Sequence, residues 1–366
     1  MTSHKSAAKK QEQSSSAPPA KAANAAKEAP PGAKHKADEA GGSSPSPKRT
    51  KKKDEKETKL KQPAHKNGDK KNGISAAKPH GRDDDSQAVP SSILEKGIIY
   101  FFFRGRVNVD EPSGVSEIAR SHIILRPIDK DAKLGSGTIG DAANSRLCLI
   151  PKKTLPQSGR DRWIAFVEKS GASFQQLKDE FLASSDYATK TAGTRHAPAA
   201  TPVGEGVYAI TSTGRESHLA YLLTLPEELG EVQREIGLKE KGSFIITTKN
   251  PKYPGPANAR LPKAAEYPKE LLKEFRSLRW VSTQPKHLDY VNTQFLLVGE
   301  SSGVDKALEP QKEDQKEGKA EPAEEMEMLE DEDAQRMKGL GDDDSGRIFA
   351  DLQVHAGDYP KLQTTF

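Results

Sequence analysis

Cysteine is nearly missing from this sequence: Cys148 stands alone. A single thiol forms no intrachain disulfide, which excludes a secreted, disulfide-stapled scaffold and fits a reducing compartment. Cys148 lies in the apolar run Arg146-Leu-Cys-Leu-Ile150 with no neighbouring base. It reads as a small buried hydrophobe rather than an activated nucleophile. Long hydrophobic runs are missing too. The longest, Ile98 to Phe103, is far shorter than the ~20 residues that span a bilayer. The N-terminus carries no apolar signal segment. The expectation is a soluble, intracellular protein with no membrane partner.

Catalytic motifs are equally scarce. Nine histidines are scattered without H-x-x-x-H spacing, and there is no HExxH, nucleophile elbow or Walker loop. The carboxylates form no readable acid/base pair. No metal, no cofactor and no catalytic residue can be named, which lowers the expectation of an enzyme without excluding one.

What is present is charge, unevenly spread. Hydrophobic residues make up 33% and charged residues 30% of the chain, with a mean hydropathy of −0.78. That is too polar for a chain folded throughout. Residues 1–90 hold 20 Lys/Arg against 11 Asp/Glu, whereas residues 309–345 hold 5 against 15. The pI of 8.8 therefore describes a dipolar chain, not a basic domain surface. Residues 1–90 contain one Ile, one Leu, one Val and no aromatic residue. Such a segment cannot bury enough apolar surface to offset its conformational entropy, and disorder is expected. Inside it, Lys48, Arg49, Lys51, Lys52 and Lys53 form a compact basic cluster behind a Ser-Pro step. The cluster reads as a nuclear localisation signal with scope for nucleic-acid contacts. The nucleus is the expected compartment, with the cytoplasm as the alternative.

Residues 91–302 read as one folded α+β domain: a mixed, mostly antiparallel sheet with a few packed helices. Gly97 to Val107, Ser121 to Pro127, Arg146 to Ile150 and Arg162 to Glu168 have strand composition. Ser173 to Tyr187 is helical in spacing, with Ser173 as N-cap. Gly206 to Ser212 and Glu216 to Leu225 form a hairpin across Thr213-Gly214. A short helix over Leu229–Leu238, a strand over Gly242–Lys249, a helix over Tyr267–Leu278 and a strand over Val291–Val298 follow. Each half opens a strand with Gly-Ile or Gly-Val and carries Ser-His before a second one, at Ser121-His122 and Ser217-His218. The halves thus read as a degenerate internal duplication. The acidic stretch 303–346 is expected to be disordered. Residues 347–366 alternate like one short strand, which would dock back on the domain or add to a partner's sheet edge.

Three local patterns bear on chemistry. Gly135-Ser-Gly-Thr-Ile-Gly140 matches G-x-G-x-x-G but lacks the strand–turn–helix context of a dinucleotide site, so a loop is expected. Lys96-Gly-Ile-Ile-Tyr-Phe-Phe-Phe103 partly matches an RNA-recognition octamer, with Tyr100 and Phe102 on one face. Base stacking would need those rings exposed; a central strand buried on both faces is the simpler reading. Finally, Arg104, Arg106, Arg126, Arg195 and His196 could form an anion or ligand site if the fold brings them into one cleft.

The stretch from Gly97-Ile-Ile-Tyr-Phe-Phe-Phe-Arg through Thr194-Arg-His-Ala-Pro and Pro202-Val-Gly-Glu-Gly-Val-Tyr to Lys249-Asn-Pro251 resembles a little-characterised family. Its fungal members carry the label "BTB domain transcription factor", and its shorter bacterial relatives lack the tails. The resemblance covers the whole folded region and implies a nuclear protein acting through protein–protein contacts. The chain has no zinc-finger, homeodomain or basic-zipper element of its own. The leading expectation is a nuclear, non-catalytic interaction or regulatory protein. It would have protein partners, and nucleic acid would be reached through the basic tail. The alternatives are a small-molecule or anion-binding enzyme built on the Arg/His cluster, and single-stranded RNA binding through the first strand.

Overall fold

Eight β-strands close into an antiparallel barrel in the computed structural model, which describes residues 89–366 other than 192 and 256–258. The basic segment up to residue 88, with its cluster at Lys48, Arg49, Lys51, Lys52 and Lys53, lies outside the described residues. Strands β1 (Ile93–Gly105), β2 (Ile118–Ile128), β3 (Ser145–Ile150) and β4 (Arg162–Ala172) form a meander. A separate two-stranded ribbon, β5 (Ser185–Thr189) and β6 (Gly193–Ala197), follows. Strands β7 (Ala200–Ser212), β8 (Ser217–Leu225), β9 (Lys241–Lys249) and β11 (Gln294–Gly299) form a second meander, and β10 (Trp280–Ser282) pairs with β9 outside the ring. The ring closes because β1 pairs β7 and β4 pairs β11.

Closure buries one face of a first strand that is apolar on both. In β1, Ile99, Phe101 and Phe103 point inward and pack with Ile123, Cys148 and Tyr221 from neighbouring walls. Ile98, Tyr100 and Phe102 point outward and are equally buried. A sheet rolled on itself fills its interior with side chains, and the outer face must then be covered by other elements. Helix α2 (Glu231–Ile236), between β8 and β9, adds Val232 and Ile236 to the inner cluster at the end where β1 and β3 finish. The outer face is covered by α1 (Phe174–Leu177), the π turn Lys178–Leu182 that continues it, and the C-terminal helices. Ser173 caps α1: its Oγ accepts from Gln176 N at 3.2 Å, and Gln176 Oε1 accepts from Ser173 N at 3.0 Å. Helix α3 (Lys269–Glu274) packs in a smaller aromatic cluster around Tyr267 and Phe275.

The two meanders place the repeated sequence features at matching sites. Gly97 and Gly206 sit in the first strand of each, Ser121-His122 and Ser217-His218 in the second. A Cβ at Gly97 would meet the carbonyl oxygen of Arg126 at 2.1 Å; one at Gly206 would meet that of Leu222 at 2.0 Å. Each carbonyl lies four residues beyond the histidine of its strand. Gly97 faces Tyr208 and Gly206 faces Ile99, so the β1–β7 seam is symmetric about the pair Ile98 and Val207.

Two expectations at the C-terminus change. The acidic stretch expected to be disordered carries α4 (Lys312–Lys316) and α5 (Pro322–Lys338), and the segment expected to be strand-like opens on α6 (Asp344–Asp351). The reason is a buried stripe hidden among the acids. Met326, Leu329 and Met337 sit at helical spacing and are at most 2% exposed, as are Ile348 and Phe349 of α6. The folded unit therefore runs past residue 302, and the last segment docks in cis as a helix. Among the described residues no helix is long and apolar enough to cross a membrane.

Candidate functional site

The fold brings four of the five singled-out residues to one corner of the barrel and separates the fifth. Arg104, near the end of β1, is half-buried; its guanidinium donates to the carbonyls of Pro198 and Phe181 and lies over the Phe181 ring, 5.5 Å from the centroid. Arg106 follows and is exposed. Arg195 and His196 lie on β6, which the chain after Arg106 touches: Asn108 N donates to the His196 carbonyl at 2.8 Å, and His196 N donates to Asn108 Oδ1 at 2.9 Å. Asn108 holds this turn with φ of 62°, a conformation asparagine tolerates better than most residues. Arg126 is elsewhere. It pairs with Ile98 while Arg104 pairs with Arg120, six residues along the strand, or about 20 Å. The five therefore share no single cleft.

At this corner the ribbon β5–β6 stands out from the barrel with every residue of β5 but Thr189 exposed. Its register sorts its side chains. Tyr187 is opposite Arg195 and Asp186 is opposite His196, so alternation puts the Tyr–Arg pair on one face and the Asp–His pair on the other. His196 ties the second face to the β1–β2 loop: Nδ1 is 2.6 Å from Asp186 Oδ1 and Nε2 is 3.0 Å from Asp110 Oδ1. A neutral imidazole offers one N–H and one lone pair, so two carboxylate partners are both satisfied only by the imidazolium. The bond to Asp186 is the main reason the His196 pKa is raised, with Asp110 adding to it. A group whose folded pKa is raised contributes its stabilisation below the unfolded value and loses it as pH rises through the folded value. Hydrogen-exchange protection of the β6 amides will fall as pH rises above the ordinary histidine range. His196→Gln will remove that dependence, and a dependence retained in His196→Gln would refute the clip.

Arg126 belongs to a buried ionic network under α5 and α6. It donates to Asp351 Oδ2 at 2.8 Å and to the carbonyls of Ile139 and Gly140. Tyr100 also donates to Asp351. Arg336 joins Asp351, Asp333 and Glu205 at 2.5, 2.5 and 3.2 Å. Burial raises the pKa of Glu205 first, and the neighbouring Asp333 and Asp351 raise it further. Its Oε2 has no hydrogen-bond partner among the described residues. Every charged member is at most 2% exposed, so the network fastens helices to the barrel and presents nothing to a ligand. The same cover buries Tyr100 and Phe102 at 0% and 1% exposure. They cannot stack bases, and the first strand is the doubly buried one. The Gly135–Gly140 segment is a loop, its Ile139 and Gly140 carbonyls held by Arg126.

Sequence reasoning passed over the polar mouth at the opposite end of the barrel. Arg146 donates to Glu95 Oε1 at 2.6 Å and reaches Asp289 Oδ1 at 2.7 Å; Tyr208 donates to Glu95 at 2.8 Å. An open cleft of about 400 Å³ beside it is lined by Pro127, Asn144, Arg146, Ser170 and Asp289. The available signal was a charge at an inward-facing position in each of two apolar strands. Both carboxylates are already spent on the guanidinium. His218 and Ser243 likewise share Glu300, at 2.8 and 2.6 Å, in a buried cluster. Cys148 is buried inside the barrel, and burial pushes its thiol up to about 12, the opposite of what a nucleophile needs. Among the described residues no group of three or more His, Cys, Asp or Glu could hold a metal ion. Compared with family models, curated proteins and solved structures, the chain matches none.

Proposed function

We propose that this chain is a nuclear, non-catalytic interaction or regulatory protein. In this reading the closed barrel is a rigid frame that carries contact elements, and the basic N-terminal segment supplies import and charge. The transcription-related role implied by the family resemblance is part of the same proposal. One observation carries it: the β5–β6 ribbon is held out from the barrel by a dedicated clip, with Tyr187 43% exposed. A two-stranded ribbon alone is marginal in water, and tyrosine and arginine side by side are the residue types that dominate contact energetics. The enzyme alternative needed its five residues in one cleft, and Arg126 lies about 20 Å along the sheet from Arg104.

Two measurements on the tagged full-length chain in its own cells test the proposal. Lys51, Lys52 and Lys53→Ala together will abolish nuclear accumulation; an unchanged distribution overturns the nuclear half. Cross-linked partners, protein or nucleic acid, will be lost when the ribbon is replaced by a short glycine turn. Identical recovery of partners overturns the interaction half.

A further inference from the structure

We infer that the outward face of the β5–β6 ribbon binds single-stranded nucleic acid, with Tyr187 stacking a base and Arg195 holding the adjacent phosphate. The inference rests on the interaction reading above and names the class of partner. It starts from the register. Ser185, Tyr187 and Thr189 share a face with Gly193 and Arg195, because Tyr187 is paired with Arg195 and Thr189 with Gly193. Among these, Ser185, Tyr187, Gly193 and Arg195 are exposed.

The charge on this face has one sign. The ribbon from Ser185 to Ala197 contains a single carboxylate, Asp186. Asp186 is on the other face, bound to His196, which in turn holds Asp110 of the facing loop. Asp186 and Asp110 are thus both held by His196 on the other face, and Arg195 stands on the outward face, with Lys190 at the turn. A polyanion fits that distribution. The aromatic narrows the choice. An exposed ring beside a guanidinium is a stacking platform, and it needs an unpaired base with a free π-face. A duplex keeps its bases stacked on one another, so a single strand fits better.

The basic N-terminal segment also attracts phosphate, so the test must separate bases from backbone. The full-length chain is titrated with a fluorescein-labelled oligothymidylate and with an abasic strand of the same length. The wild type will bind the oligothymidylate about tenfold more tightly than the abasic strand. Tyr187→Ala will erase that difference, and Tyr187→Phe, which keeps the ring, will restore it. Arg195→Ala will weaken binding to both strands and lower the salt slope by about 0.7. The inference is overturned if the wild type does not distinguish the two strands, or if Tyr187→Ala still does. Cross-linked protein partners lost in Tyr187→Ala, with no preference for bases, would also overturn it while leaving the interaction reading intact.

Discussion

Replacing Arg336 by alanine will destabilise the folded chain by about 3–5 kcal/mol and release its C-terminal helices. The Arg336 side chain is 1% exposed and is the hub of three buried carboxyl groups, Asp333, Asp351 and Glu205. Burial alone would lower its pKa; Asp333, Asp351 and Glu205 outweigh that and raise it. Remove the guanidinium and the one charged partner left to those groups is Arg126, on Asp351; Asp333 keeps only the Thr224 hydroxyl, and Glu205 loses its donor. The cost comes from stranded acceptors rather than from a lost attraction, because a buried ion pair is itself nearly neutral in net worth. Two consequences follow. Adding Asp333→Asn to Arg336→Ala will recover part of the loss, since one stranded charge disappears. The deficit will also shrink toward acid pH. In the variant the buried carboxyls hold their protons more tightly than in the unfolded chain, and a raised carboxyl pKa gives stability that is present at low pH and lost as pH rises through the folded value. Urea midpoints across pH, with limited proteolysis between residues 303 and 321 as a local probe, measure both effects. An unfolding free energy within about 1 kcal/mol of the wild type would show that the network is not what fastens α5 and α6.

The same helices show where the sequence was hard to read. Averaged over 309–345, 15 acids against 5 bases look like a solvated tail. Composition averages over faces, and folding does not. Met326, Leu329 and Met337 line one side of α5, and Glu325, Asp333 and Arg336 are buried beside them by partners on the barrel, Lys96, Thr224 and Glu205. Three of the chain's four methionines fall in this stretch, a hint of core that the charge obscured. Strands were easier, because β-branched and aromatic runs such as Ile98–Phe103 declare themselves. Barrel closure was not legible. Both faces of β1 are buried, which removes the alternation that sets register, and the β1–β7 and β4–β11 seams join residues from 96 (Arg104 and Ala200) to 136 (Arg162 and Val298) positions apart. At the candidate site, Thr194-Arg195-His196 was visible as a polar loop motif. Its partner Asp110 was not, since nothing local links it to a ribbon 86 residues away.

Phe101→Ala will test closure directly, at a cost near the upper end of the ~3–5 kcal/mol typical for buried aromatics. Phe101 points into the barrel, is 2% exposed, and meets the Tyr221 ring edge-on with centroids 5.0 Å apart. Tyr221 is stacked on Phe244 at 5.7 Å, and its hydroxyl accepts from Lys239 N at 3.2 Å. The ring that would have to move into the void is therefore held at both ends. The wall cannot close either, because each strand of the barrel is hydrogen-bonded on both sides. A site that cannot relax keeps its cavity, and the cavity adds to the lost transfer energy. Phe102→Ala is the matched control. Phe102 is 1% exposed on the outer face, against Phe181 at 5.5 Å, under a single helical turn joined to a π turn that can settle toward the sheet. Its cost will be lower by about 1 kcal/mol. The inner cavity will stay dry and take up benzene, raising the melting temperature of Phe101→Ala but not of Phe102→Ala. Equal costs with no benzene effect would mean that the inner layer relaxes as freely as the cover, which a barrel hydrogen-bonded around its full circumference does not allow.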